Sequence, residues 1–395
     1  MIDTLTSRSW VEIDLDALSY NLNKLLALLH RETSLMAVVK ADGYGHGLVA
    51  VAKQCQKLGV KAYAVATIDE GIKLRKVGIH GEILILGYTH PIRARELSKY
   101  HLIQSIVDYN HAKMLSRCNC TIDVHIKIDS GMHRLGFAVD DYQKIIKLYK
   151  YKNIKIKGYF THLCVSDSNK KADILYTKNQ INQFYQLISR LKQDHYYIGK
   201  IHIQSSYGLI NYPKIKCDYV RIGIFMYGVK SSINDYLKQE LDLKPVLSIK
   251  SRIAMIHNLS KGESLGYGLT YQAKYDSVIA TIPIGYGDGI PRQISTRGHV
   301  LIKGIKCPII GRICMDQMLV DVSEVNDLDN NEIVIIVGND GHNEIRIEEL
   351  AQAAKTISNE ILSQIGNRLP KVYVGGKGCY IKRKKDYRMK LLLQY

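Results

Sequence analysis

Short runs of apolar, β-branched residues recur through the first ~225 positions, at 36–40, 62–66, 82–87, 103–107, 124–129, 156–162, 200–206 and 219–225. Runs of this length, apolar on both alternating faces, read as eight strands buried on both sides. Between most of them lie amphipathic stretches, at 48–58, 70–77, 93–100 and 172–191, with Gly59, Gly71 and Gly78 punctuating the early ones. Strand and helix alternating with that count predict an α/β architecture, an N-terminal (β/α)8 barrel, with a doubly wound open sheet as the main alternative. After about residue 243 the pattern changes. Strand-like segments lie at 246–256, 278–284, 299–302, 307–310, 318–322 and 332–337, most separated by short Gly, Pro and Asp turns, and one helical stretch, 347–362, comes after the last. This predicts a C-terminal, mainly β domain, with the division at 1–243 and 244–395. No internal repeat or low-complexity segment is apparent.

With 395 residues and 46% hydrophobic content, the chain can bury a large core and fill about two domains. No apolar run reaches the ~18 residues that a membrane span requires, and no basic stretch followed by an apolar segment opens the chain. The expectation is a cytoplasmic protein with no membrane partner. The eight cysteines form no CxxC pair and no Cys/His spacing of the zinc kind, so they read as reduced thiols and no metal is expected. A net charge of +18 would suit a polyanion, but the lysines are spread along the chain and no nucleic-acid-binding motif accompanies them. The densest basic run, Lys382, Arg383, Lys384 and Lys385, reads as a solvated tail. The basic balance is more useful for attracting small anionic ligands.

Chemistry enters with Lys40, which closes the apolar run Met36, Ala37, Val38 and Val39 and opens the segment ADGYGHG at 41–47. A lysine at the end of a buried strand loses solvation of its charged form, which makes a neutral, nucleophilic amine accessible near pH 7, as a Schiff-base lysine requires. The glycines behind it permit positive φ and close backbone approach, and Tyr44 can donate a hydrogen bond to an anion such as a phosphate. A lysine beside a phosphate cradle suggests pyridoxal phosphate. The competing reading is a lysine that snorkels into solvent ahead of an ordinary Gly-rich turn. Barrels carry their chemistry at the C-terminal ends of their strands, and those ends here hold Lys40, Lys127 with Asp129, His162, Ser205 with Ser206, and Arg221. In the second half, Tyr267 stands between two glycines in LGYGLTY.

Seven stretches, in order and over both halves, resemble the alanine racemases, fold-type III pyridoxal-phosphate enzymes: AVVKADGYGHG (37–47), IDSGMHRLGF (128–137), FTHLCVSD (160–167), RIGIFMYG (221–228), YGLTY (267–271), IGYGDG (284–289) and GRICMDQ (311–317). The resemblance runs from about Trp10 to Pro370. It implies that Lys40 holds the cofactor and that Lys40 and Tyr267 are two bases on opposite faces of the substrate, as racemisation requires. It implies a homodimer in which the tyrosine comes from the other subunit. Arg221 matches an arginine that faces the pyridine nitrogen and His162 a histidine that orients it. Tyr44, Ser206, Gly223 and Ile224 match phosphate donors. Arg134 and the backbone of Met315 match the substrate-carboxylate site, Tyr286 the entrance, and Asp316 a supporting position beside it. Lys127 matches a lysine that is carbamylated in some relatives, where it steadies the arginine. The implied activity is interconversion of L- and D-alanine, supplying D-alanine for peptidoglycan.

Three positions depart from the pattern. Ile222 stands where proline is usual, Ser205 where asparagine is usual, and Asn367 where many relatives carry a tyrosine that helps hold the phosphate and walls the pocket beside the substrate methyl group. Asparagine is smaller and brings its own donor and acceptor, so a hydroxymethyl side chain fits. The QSSYG stretch at 204–208 also resembles the serine racemases of vancomycin resistance, which carry a membrane domain before the racemase domain; none is expected here. Alanine is expected as the main substrate and serine as a second one. A small non-catalytic pyridoxal-phosphate barrel would lack the second half, and a fold-type III decarboxylase would lack the tyrosine of YGLTY.

Overall fold

The computed structural model describes residues 6–376; Cys379 and the basic run at 382–385 lie outside the described residues. The first strand, β1 (Ser9–Asp14), runs into helix α1 (Leu15–Ala27), whose start is capped by the Asp14 carboxylate accepting from the backbone N–H groups of Asp16 and Ala17, both at 2.8 Å. Eight parallel strands come next: β2 (Ser34–Val38), β3 (Ala62–Val65), β4 (Glu82–Ile85), β5 (Ile103–Ile106), β6 (Ile122–Asp129), β7 (Ile154–Phe160), β8 (Lys200–His202) and β9 (Tyr219–Ile222). Their order is β9-β2-β3-β4-β5-β6-β7-β8. Two backbone bonds, Asp218 N–H to the Ile201 carbonyl (2.8 Å) and Arg221 N–H to the Gln204 carbonyl (3.1 Å), stitch β8 to β9 and nearly close the barrel. The open-sheet alternative is thereby excluded. Each predicted run corresponds to one of these strands. The amphipathic stretches are helices too: after the single turn α2 (Lys40–Tyr44) come α3 (Leu48–Lys57), α4 (Ile68–Lys76), α5 (Ala94–Lys99), α6 (Tyr109–Leu115), α7 (Tyr142–Lys147), α8 (Lys171–Gln193) and α9 (Ser206–Asn211).

The second sheet is built from β10 (Leu247–Arg252), β11 (Met255–Leu259), β12 (Ser277–Ile282), β13 (His299–Ile302), β14 (Ile305–Ile310), β15 (Met318–Asp321), β16 (Ile333–Asn339) and β17 (Lys371–Val374), in the order β11-β12-β15-β14-β13-β16-β10-β1-β17. The N-terminal strand β1, which the sequence pattern leaves unassigned, therefore lies in this sheet, antiparallel to β10 and parallel to β17. The run 246–256 is two strands rather than one. At the break, Ile253 N–H bonds to the Glu332 carbonyl (3.0 Å) and Ala254 N–H to the Thr281 carbonyl (2.9 Å), so the chain changes partner from β16 to β12 between adjacent residues. The helical stretch 347–362 is likewise two helices, α10 (Ile347–Ala354) and α11 (Ser358–Gln364), because Lys355 turns left-handed (φ 57°) and ends the first.

One apolar core runs through both parts, from Val11 and Ile13 through the barrel to Leu362, Ile365 and Leu369. Its continuity matters for the site. The backbone of α11 packs so closely on Gly45 that any side chain there would strike the Leu362 carbonyl, and the β-carbon of Ile365 would stand 3.4 Å from it. The C-terminal elements thus abut the turn after Lys40.

Candidate active site at the barrel mouth

Lys40, the last residue of the expected strand, instead lies two residues beyond the end of β2, at the head of α2, and the residues after it form a left-handed turn. Ala41, Asp42, Gly43 and Tyr44 have φ of 53°, 52°, 64° and 53°, and the turn is bonded by Gly43 N–H to the Val39 carbonyl (2.8 Å) and Gly45 N–H to the Ala41 carbonyl (3.0 Å). Left-handed backbone costs an L-residue roughly 1–2 kcal/mol, and only Gly43 escapes that cost, so neighbours have to hold the turn. They do. The Asp42 carboxylate accepts from Leu48 N–H (2.9 Å) and pairs with Lys371 on β17 (3.2 Å); Glu70 accepts from Ala41 N–H (2.7 Å); Tyr227 stacks on His46 at 4.2 Å and tilts against Tyr44 at 5.1 Å. The Lys40 amine is held below its usual pKa, first by burial and then by the Arg134 charge, with Glu70 opposing.

Arg221 is buried in the barrel, and among the described residues all of its bonding partners are neutral. It donates to His202 Nδ1 (2.8 Å), the Thr161 carbonyl (2.7 Å), the Ile203 carbonyl (3.2 Å) and His162 Nδ1 (3.3 Å). Burial lowers its pKa to about 10, which still leaves it charged at neutral pH. His162 does contact Arg221, but the shorter bond goes to His202, whose Nε2 is itself 2.8 Å from His125 Nδ1. Because Arg221 must donate, His202 accepts on Nδ1, carries its proton on Nε2 and gives it to His125. Burial, with the Arg221 charge second, depresses all three imidazoles, His125 to about 3. His202 and His125 escape sequence reading because a histidine inside a barrel strand looks like a satisfied core residue; the one signal is a second histidine inside a barrel strand two strands away.

Three donors converge beside Lys40. Gly223 N–H bonds Ser206 Oγ at 3.1 Å, and a Cβ at Gly223 would meet the Tyr44 hydroxyl at 2.8 Å, so residue 223 must be glycine for Tyr44 to approach. The Tyr44 phenol is buried and pushed up to about 12, which keeps it a hydrogen-bond donor at any physiological pH. Ile224 starts the short 3-10 turn behind them. Two hydroxyls and a backbone amide at a barrel mouth make a neutral anion cradle.

Lys127, on β6, is buried, donates to the Ile128 carbonyl (3.1 Å), lies 5.2 Å over the Phe160 ring and has its pKa lowered to about 7 by burial and by Arg221. The loop after β6 is wrapped around Asp129, whose Oδ1 accepts from the N–H groups of Gly131, Met132 and His133 at 2.9 to 3.0 Å, and it presents Arg134 in the open. In the second sheet the entrance loops are laced together. Gly287 N–H bonds the Met315 carbonyl (2.8 Å), and Arg368, the neighbour of Asn367, bridges Asp316 (2.6 Å) and the fully buried Asp288 (3.4 Å), which Arg8 also clasps (2.6 Å). Tyr286, Met315, Asp316 and Asn367 are thus gathered at one edge, two residues from the Ile365 contact with Gly45. Among the described residues, Tyr267 is not brought to Lys40 by any bond. It stands 68% exposed on a hairpin that rests on Gly311 and Arg312 of its own domain.

Residues 13–231 match the family model of the alanine racemase N-terminal domain, and residues 246–373 that of the C-terminal domain. The chain is 44% identical over 365 residues to an amino-acid racemase of Enterococcus faecalis and 38% identical over 368 residues to a serine/alanine racemase of Enterococcus gallinarum, matching 92% and 93% of its own length but 51% of each relative. It spans about half the length of those curated relatives. The solved alanine racemase of Clostridium difficile 630 superposes with a TM-score of 0.86 at 35% identity, covering 93% of this chain and 96% of that one. Both family models, lying in sequence order over the barrel and the β domain just described, and a whole-length structural match establish that the chain belongs to the alanine racemase family.

Proposed function

We propose that the chain is a pyridoxal-phosphate-dependent amino-acid racemase that interconverts L- and D-alanine, accepts serine as a second substrate, and supplies D-alanine for peptidoglycan. The observation that carries the reading is the grouping of a depressed lysine, Lys40, with the Tyr44, Ser206 and Gly223 donors and a buried arginine, Arg221, whose described partners are all neutral. The residues fit the cofactor: the cradle offers donors to a phosphate, and Arg221 has a charge that no carboxylate among its described bonding partners balances. When bound, pyridoxal phosphate supplies an electron sink that acidifies the substrate Cα–H.

The chain's own groups supply the rest. Arg221 presents a donor that cannot be deprotonated near neutrality, and His202 and His162 fix its orientation. Tyr44, Ser206, Gly223 and Ile224 hold the phosphate end. Arg134 and the Met315 backbone take the substrate carboxylate. Lys40 and Tyr267 stand on opposite faces of Cα: one removes the proton and the other returns one, which inverts the centre without net proton consumption. The exposed Tyr267 calls for a partner subunit, a homodimer in which each hairpin closes the other chain's mouth. Asn367 leaves room beside the substrate side chain and a polar partner for a hydroxyl; pocket size alone discriminates by only about 1–3 kcal/mol. The serine/alanine naming of one relative supports that second substrate.

The test is direct. The purified protein with pyridoxal phosphate is expected to show a visible absorbance band that borohydride bleaches, to form D-alanine from L-alanine, and to form D-serine from L-serine in a separate assay. Replacing Lys40 by alanine removes all three. A protein with no such band refutes the reading, and a serine rate at background while alanine turns over refutes its second half.

A further inference from the structure

Ala41 N–H, the first amide after Lys40, makes its hydrogen bond to a side chain from another element: Glu70 Oε1 at 2.7 Å. The other oxygen of the same carboxylate accepts from Ala66 N–H (2.8 Å) and from Thr67 N–H (3.2 Å), while Thr67 Oγ1 accepts from Glu70 N–H (3.3 Å). Glu70 is thus the third residue of a capping box at the start of α4, and in that position it reaches across the end of β3 to the neighbouring strand's lysine turn. The peptide it grips lies between Lys40 and the first of five consecutive left-handed residues, Ala41 to Gly45, three of which are not glycine. Without an acceptor there, the Ala41 N–H is free and the turn can relax toward right-handed backbone, swinging the lysine stem.

We propose that Glu70 is a positioning residue for Lys40: its carboxylate, anchored by the α4 capping box, locks the strained turn and thereby aims the Lys40 amine into the barrel mouth. The inference rests on Lys40 being the cofactor-bearing lysine. The charged or titratable groups that bear on that amine are Glu70, which favours its protonated form, and Arg134, which opposes it; the neutral His162 stands on the next side of the mouth.

The test uses Glu70→Gln, which keeps one acceptor oxygen and the helix, beside Glu70→Ala. In the cofactor-free chain, acetylation of Lys40 is followed against pH by peptide mass spectrometry. In the cofactor-loaded enzyme, kcat and KM for alanine are measured. The expected result is a Lys40 labelling curve displaced to lower pH in both variants, with kcat reduced roughly tenfold to a hundredfold in Glu70→Ala and less in Glu70→Gln. KM stays within about threefold, because substrate binding is not what is lost. Labelling curves that superimpose on the parent's, in variants with parental circular dichroism, overturn the proposal. Borohydride fixing pyridoxal phosphate on a lysine other than Lys40 would instead overturn the functional reading, and the labelling curves would still decide what Glu70 does.

Discussion

Among single residues, the neutral histidines set the chemistry of the barrel interior. His46 is held near pKa 4 and His125 near 3, both mainly by burial, and His162 and His202 shift the same way. The unfolded chain takes up these protons below about pH 6.5, whereas the folded chain refuses them until its own lower values. Stability is therefore full above about pH 6.5 and falls as the pH drops toward 4. Urea unfolding between pH 7 and 5 should show a loss steeper than one proton accounts for, about 1.4 kcal/mol per pH unit; a flat profile contradicts the neutral cluster. Packing around the same histidines is tight. A Cβ at Gly158 would stand 3.0 Å from the His125 ring and press on the Lys200 carbonyl, so Gly158→Ala should destabilise by about 1–3 kcal/mol, read as a lower melting temperature. Lys127, with its pKa lowered to about 7, has a substantial neutral fraction able to add carbon dioxide at the amine with release of a proton. Intact mass in bicarbonate should show one added carbon dioxide, absent in Lys127→Arg.

Among the strands and helices, what the sequence discloses depends on whether one rule or two compete at a position. The barrel strands are legible because strands covered on both faces must be apolar throughout, as all four residues of Ala62–Val65 are. The run 246–256 misleads because partner exchange at Ile253 and Ala254 leaves no mark on hydrophobicity. The stretch 347–362 misleads because Lys355, a residue with no preference for left-handed backbone, occupies a position where glycine would announce the helix end. The same mismatch gives a prediction. Lys355→Gly removes the left-handed penalty at a helix C-terminus and should raise the melting temperature by a few degrees at most; a lower one would mean that the lysine side chain contributes more than its backbone costs. The lysine turn is half legible: Gly43, Gly45 and Gly47 signal positive φ, but Ala41 and Tyr44 do not, since their backbone is imposed from Glu70, Asp42 and the Tyr227 ring. The candidate site is legible where a residue type is unusual for its element, as with Lys40 and Arg221, and silent where it is ordinary, as with His202, His125 and Glu70.

Across the whole molecule, the exposed Tyr267, Leu269 and Met315, at 68%, 66% and 53%, stand on the domain that flanks the barrel mouth. If each site takes Lys40 from one subunit and Tyr267 from the other, two separately inactive variants must complement. Mixing Lys40→Ala with Tyr267→Ala after dissociation and reassociation should restore about a quarter of parental activity, since half the dimers are mixed and each mixed dimer has one intact site. No recovery, with exchange confirmed by native mass spectrometry, would place both groups in one chain. The route by which a chain reaches this form is constrained by β1. That strand is completed only by β10, roughly 240 residues later, and by β17 near the end of the described chain. At a synthesis rate of about 5–20 residues per second, its edges wait some tens of seconds on the ribosome while the barrel strands emerge in pairing order. An exposed amide edge held open for so long is a natural target for chaperones, and a nascent chain arrested before residue 371 should be captured by them far more readily than the released protein.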